Sequence, residues 1–172
     1  KQDGARIHPV TVGEPVTITA YKLVPVSGAV ELQGRNVGKW GGAKVTLTGT
    51  DNMELSYDMT TSSSGAWSET VACGTYDVNV VMGGYLRTWK NSLSAPFAAN
   101  AGKLLGGNAD MTEGSYDIIF LHDVVAIANV IGDEAEDMSD ENLYPDINGD
   151  STINILDLVL AGINYTEEAQ SF

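Results

Sequence analysis

Apolar and polar residues alternate with a period of two through the first 103 positions of this 172-residue chain. Val16-Thr17-Ile18-Thr19-Ala20-Tyr21, Ala29-Val30-Glu31-Leu32, Lys44-Val45-Thr46-Leu47-Thr48 and Tyr76-Asp77-Val78-Asn79-Val80 are the clearest runs. Successive strand side chains point to opposite faces, so these runs predict half-buried strands. Gly41-Gly42, Ser62-Ser63-Ser64-Gly65 and Gly83-Gly84 separate them and predict turns. Short strands punctuated in this way predict an all-β Greek-key sandwich. Trp40, Trp67 and Trp89 fall in or beside strands, where packing in the core or on a sheet face is expected; sugar stacking is the alternative. Pro9, Pro15 and Pro25 place residues 1–26 at a sheet edge or in a linker.

Beyond residue 103 the period lengthens to that of a helix. Leu121-His122-Asp123-Val124-Val125-Ala126-Ile127-Ala128-Asn129-Val130-Ile131 parallels Ile155-Leu156-Asp157-Leu158-Val159-Leu160-Ala161-Gly162-Ile163-Asn164-Tyr165 when Asp123 is laid on Asp157. Gly132 can end the first helix. The match predicts an internal duplication of two short helices, and neither copy is large enough to bury its apolar face alone.

Charge divides the chain at the same place. Residues 1–103 carry all nine Lys and Arg against eight Asp and Glu, whereas residues 104–172 carry fifteen Asp and Glu and no Lys or Arg. The acidic half repels itself, which bound divalent cations would relieve, and it excludes nucleic acid and anionic membrane surfaces as partners. Asp133, Glu134, Glu136, Asp137, Asp140 and Glu141 are expected to form an ordinary solvated surface. Cys73 is the single cysteine, so no intrachain disulfide forms, and it is expected to be a small buried residue. No run reaches transmembrane length. The chain opens at Lys1 without a signal-peptide pattern and reads as the mature tail of something longer.

The chemistry lies in Asp146-Ile147-Asn148-Gly149-Asp150-Ser151-Thr152-Ile153-Asn154-Ile155-Leu156-Asp157. Oxygen-bearing side chains fall at positions 1, 3, 5, 9 and 12, the alternation that a hard cation needs from a tight loop, with a final carboxylate from the incoming helix. Asp146, Asn148, Asp150 and Asp157 offer side chains, Thr152 its carbonyl, and Asn154 acts directly or through water. Ile153 at position 8 points away from the metal, where it can pair with a second loop. Two residues depart from the EF-hand pattern: Ser151 stands at position 6, where Gly is usual, and Asp157 at position 12, where Glu is usual. The first copy fits only as a loop lengthened by four residues. Asn108, Asp110 and Thr112 would open it, Ile119 would fill the apolar slot, and Asp123 would close it. Asp117 is then a floating carboxylate, either ligand or solvated.

Residues 104–172 resemble a dockerin, a module of two F-hand calcium loop-helix motifs, with Asp146 to Tyr165 the strongest match and Leu104-Leu105-Gly106-Gly107-Asn108-Ala109-Asp110 resembling the start of a first loop. Residues 27–103 resemble carboxypeptidase regulatory-like and transthyretin-like sandwiches, through Gly28-Ala29-Val30, Gly42-Ala43-Lys44-Val45-Thr46-Leu47, Ser64-Gly65-Ala66-Trp67, Gly74-Thr75-Tyr76-Asp77-Val78 and Gly84-Tyr85-Leu86. The resemblances imply a multidomain chain: an N-terminal strand or linker over 1–26, a sandwich over 27–103 and a small all-α dockerin over 104–172. They imply two calcium ions, a cohesin partner, and a secreted or cell-surface location in a cellulosome-like assembly for polysaccharide degradation. Carried over position by position, the partner-binding residues are Leu121, His122, Ala128 and Asn129 in the first copy and Ile155, Leu156, Gly162 and Ile163 in the second. Some sandwich relatives form an internal Lys–Asn isopeptide, for which Lys44, Asn79 and Glu31 or Glu69 offer only the residue types.

The expected function is therefore non-catalytic, calcium-dependent assembly, with the sandwich as stabilising spacer; a calcium-stabilised adhesion or carbohydrate-binding tail is the alternative. An enzyme finds little support, because His8 and His122 stand apart, no Ser/His/Asp set has motif context, and no Gly-rich phosphate loop follows a strand.

Overall fold

The computed structural model describes residues 21–51, 55–112, 117–135 and 143–172. Residues 1–20, and with them all of the expected Val16–Tyr21 strand except Tyr21, lie outside the described residues, as do Glu136, Asp137, Asp140 and Glu141.

Two open sheets pack face to face. One has three strands: β1 (Leu23–Leu32) lies between β4 (Ala66–Ala72), antiparallel to it, and β8 (Ala98–Leu104), parallel to it. The other places β7 (Thr88–Ser94), β5 (Thr75–Val81), β2 (Lys44–Gly49) and β3 (Ser56–Thr60) side by side, each antiparallel to the next, with β10 (Gln170–Ser171) outside β7. Alternation chooses the inward residues. Val24, Val26, Val30 and Leu32 from β1 meet Val45 and Leu47 from β2, and Tyr76, Val78 and Val80 from β5, all buried. Each such aliphatic side chain contributes about 1.5–3 kcal/mol by leaving water. Gly28 continues the inward row of β1, and it is glycine because a Cβ there would lie 2.4 Å from the Trp67 ring and 2.0 Å from the Ala99 carbonyl oxygen.

The remaining elements join the sandwich to a pair of helices. A two-stranded ribbon pairs β6 (Gly84–Tyr85) with β9 (Gly106–Asn108), followed by α1 (Leu121–Asn129) and α2 (Ile155–Ile163). The last strand, β10 (Gln170–Ser171), returns to the sandwich and lies parallel to β7 at its outer edge. There Thr88 Oγ1 donates to the Gln170 carbonyl (2.6 Å), and the Phe172 N–H donates to the Trp89 carbonyl (3.1 Å). This covers a sheet edge that would otherwise present unpaired backbone groups.

One expectation is corrected. Cys73 is exposed, not buried, because it sits in the turn between β4 and β5 rather than on an inward position of either strand. Lys44 and Asn79, which offer only the residue types for an isopeptide, have other partners: Lys44 is exposed and paired with Asp58 (3.1 Å), and Asn79 stands opposite Thr46. The backbone of Ile153 makes no bond to that of Ile119, although both side chains are buried in the same core. The Ile153 N–H donates to the Asp133 carbonyl (3.1 Å), and its carbonyl accepts from Gly132 N–H (2.8 Å), so it is held by the chain leaving α1.

Candidate metal centre and exposed helical face

The second loop closes on its own side chains. The Asp146 carboxylate accepts the N–H groups of Gly149 (2.9 Å), Asp150 (3.2 Å) and Ser151 (3.0 Å), curling the chain around it. Asn148 Oδ1 accepts from Asp150 N–H (2.8 Å), and Asp150 Oδ1 from Thr152 N–H (2.9 Å). Asn148 Nδ2 donates to Asp150 Oδ2 (3.0 Å), which sets these two side chains side by side. Asp157 is fully buried and ties both ends together, one oxygen accepting from Asn148 N–H (3.1 Å) and the other from Asn154 N–H (3.0 Å). Asn154 caps α2, its Oδ1 accepting from Leu156 N–H (2.8 Å), while its Nδ2 donates to the Thr152 carbonyl (3.0 Å). The tight path puts Ser151 at φ 75°, in the left-handed region that favours glycine.

The first loop repeats the closure. Asp123 is fully buried and accepts from Asp110 N–H (2.9 Å) and Phe120 N–H (2.8 Å), as Asp157 accepts from Asn148 and Asn154. Asp110 Oδ1 accepts from Thr112 N–H (3.1 Å), as Asn148 accepts from Asp150. By these bonds Asn108, Asp110 and Thr112 stand where Asp146, Asn148 and Asp150 stand, and the extra four residues fall between Thr112 and Asp117, outside the described residues. The first loop is the poorer in charge, since Asn108, Thr112 and Phe120 replace Asp146, Asp150 and Asn154. Burial pushes the Asp123 carboxyl up, against the two backbone N–H groups that pull it down. Asp117 is turned out of the loop, because both its oxygens pair with the Arg87 guanidinium of the sandwich.

Backbone bonds carry the duplication through both copies. Thr166 N–H donates to the Ile119 carbonyl (2.8 Å), as Gly132 does to that of Ile153 (2.8 Å); Ile119 N–H donates to the Glu167 carbonyl (3.0 Å), as Ile153 does to that of Asp133. Ala169 donates to the Asp117 carbonyl as Ala135 does to that of Ser151. Thr166, like Gly132, has a positive φ. The copies differ where the sandwich docks. Ala161 in α2 stands where α1 has Ile127, and Gly107 of β9 approaches it so closely that a Cβ would fall 2.5 Å from its Cα.

The outer face of both helices is apolar and open. Leu121, His122, Ala128 and Asn129 on α1, and Ile155, Leu156, Gly162 and Ile163 on α2, are all exposed. Ile155, Leu156 and Ile163 keep 57–63% of their surface in solvent. Val125, Val159 and Tyr165 extend the stripe; the helical step of four from Leu121 and Ile155 was the signal for the two valines. Isolated exposed aliphatics are ordinary, whereas this set is gathered on the outer faces of two packed helices.

Among the described residues, no three His, Cys, Asp or Glu side chains converge closely enough to hold a metal by themselves. The second loop adds amide and carbonyl oxygens from Asn148, Asn154 and Thr152 to its three carboxylates, an all-oxygen set whose chemistry suits calcium. Among the described residues no helix is long and apolar enough to cross a membrane.

No protein-family model matches the chain, and no curated protein matches it. Solved structures do. A chain of a type II cohesin–X-dockerin complex from Acetivibrio cellulolyticus, in a C-terminal interface mutant, superposes with a TM-score of 0.62 at 19% identity, covering 84% of this chain and 97% of that one. The N-terminal interface mutant of the same complex gives 0.60 at 19% identity, with the same coverage. The matched share is larger than the sandwich alone, so the likeness takes in both parts: a β-sandwich followed by a small two-helix unit.

Proposed function

We propose that this chain is a non-catalytic assembly module, in which a calcium-loaded dockerin over residues 104–172 binds a cohesin and the sandwich over 27–103 braces it. The observation that carries the reading is the apolar stripe of Ile155, Leu156, Val159 and Ile163 beside Leu121 and Val125, set directly behind two duplicated loops. Calcium would be held by Asp146, Asn148, Asp150, Thr152, Asn154 and Asp157, and more weakly by Asn108, Asp110, Thr112 and Asp123. It would supply charge compensation and fixed loop geometry, and its binding free energy would add to folding free energy. The chain's own residues do the rest: Asp157 and Asp123 bind the helix starts to the loops, and the helices present the stripe. The α2 face is the more apolar, with Leu156 against His122 and Ile163 against Asn129, so one docking orientation is preferred over its half-turn counterpart. With a cohesin as partner, the module would belong to a secreted or cell-surface assembly.

Calorimetry with a panel of type II cohesins, in calcium and in chelator, tests the reading. Tight binding lost in chelator, and lost in Ile155→Asp/Leu156→Asp with calcium uptake intact, is the expected result. A panel in which no cohesin binds the calcium-loaded chain defeats it.

A further inference from the structure

Tyr85 is a fully buried residue of β6 that touches the start of both loops. Its carbonyl accepts from Asn108 Nδ2 (3.4 Å), the first residue of the first loop. Its hydroxyl donates to the Ile147 carbonyl (2.6 Å), the second residue of the second loop, with the Gln33 carbonyl at 3.0 Å as the longer alternative. Arg35 reinforces the contact from the sandwich: its guanidinium lies 5.4 Å from the Tyr85 ring centre, and its Nε donates to the same Ile147 carbonyl (3.0 Å). Lys39 Nζ donates to the Gly149 carbonyl (2.8 Å) further along the loop. Ile147 itself is buried in the β6–β9 ribbon, against Gly84 and Gly106, where a Cβ on Gly106 would come 2.5 Å from Ile147 Cγ2. The direct route between paired loops, bonding of Ile119 to Ile153, is not made; each bonds instead to the chain leaving the opposite helix.

We propose that Tyr85 is a positioning residue that couples the two calcium loops through the sandwich, so that filling either loop raises the affinity of the other. This rests on the calcium reading above. Ordering of Asn108 by the first ion fixes the β6–β9 ribbon, the ribbon fixes Tyr85, and its hydroxyl holds Ile147, Arg35 and the second loop in their closed positions. By linkage the effect is reciprocal, each loop changing the other's affinity by the same factor. The sandwich is then part of the metal response rather than a spacer.

A double-mutant cycle on the full chain decides it. Calcium affinity of the second loop is measured by calorimetry in wild type, Asp123→Asn, Tyr85→Phe and the double variant. Asp110→Asn serves as a milder lesion of the first loop should Asp123→Asn fold poorly. Damage to the first loop should weaken the second about fivefold in the presence of Tyr85, the scale of one buried hydrogen bond, and leave it unchanged in Tyr85→Phe. In parallel, the amide resonances of Gly149 and Ser151 should shift on first-loop damage only when the hydroxyl is present. A purely structural Tyr85 would lower both affinities alike and leave the effect of Asp123→Asn undiminished, which would overturn the coupling while sparing the calcium reading. Absence of calcium uptake by the wild type would overturn both.

Discussion

Gly107→Ala probes the seat of α2 on the sandwich. Gly107 has φ 121°, and a Cβ there would lie 2.5 Å from Ala161 Cα, 3.0 Å from Ala161 N and 3.1 Å from Ala161 Cβ. These obstacles are backbone and a methyl group, neither of which can rotate away. Backbone strain of about 1–3 kcal/mol adds to overpacking of about 1–3 kcal/mol. The expected loss is therefore about 2–6 kcal/mol, a large part of the about 5–15 kcal/mol that holds a typical domain together. Gly102→Ala is the control: it also has positive φ (69°), but nothing lies within 4 Å of its Cβ, so only about 1 kcal/mol of left-handed strain is expected. Urea unfolding of both variants should be followed by tryptophan fluorescence and by helical circular dichroism. All three tryptophans lie at or before residue 89, so the first signal reports the sandwich and the second the helix pair. The helical transition should move far more in Gly107→Ala than in Gly102→Ala. If the two variants unfold within about 1 kcal/mol of each other by both signals, α2 is not seated on β9 and the reasoning is wrong.

Three further outcomes are expected. Ser151→Gly should stabilise the second loop by about 1 kcal/mol, because Ser151 sits at φ 75°, and a thermal midpoint at or below that of the wild type would contradict this. The Tyr85 phenol is pushed up to about 12 by burial, so it stays protonated in the fold after unfolded tyrosine ionises near 10; stability should be full below pH about 10 and fall by up to about 3 kcal/mol as pH rises to about 12, read by denaturant midpoints in wild type against Tyr85→Phe. Removal of residues 170–172 strips β10 from β7, with the Thr88 and Trp89 bonds and the half-buried Phe172, and should cost about 1–3 kcal/mol; an unchanged urea midpoint would argue that the edge needs no cover.

Much of the local structure was legible from period and spacing. The two-residue alternation of Lys44–Thr48 and Tyr76–Val80 names the inward valines and leucines of β2 and β5, because side-chain direction in a strand follows position alone. The second loop was legible because its bonds run between residues two to nine apart, all within one twelve-residue window of the chain. The first loop needed the duplication to be read at all, since its insertion hides the spacing. The role of Asp117 stayed open in the sequence because its partner, Arg87, is thirty positions away and belongs to the sandwich. Cys73 was misjudged because composition describes the average cysteine rather than a turn.

By itself the chain determined its charge step, its two periodicities and the alternating oxygen side chains of Asp146–Asp157, all of which are set by neighbouring positions alone. Tertiary structure alone decided that Tyr85 stands between the loops, that Ala161 admits Gly107, that β10 returns to β7, and that the backbones of Ile119 and Ile153 each bond to the chain leaving the opposite helix. Those outcomes are set by which surfaces remain to be buried after the local elements have formed, and packing of that kind joins residues that no short window of sequence contains.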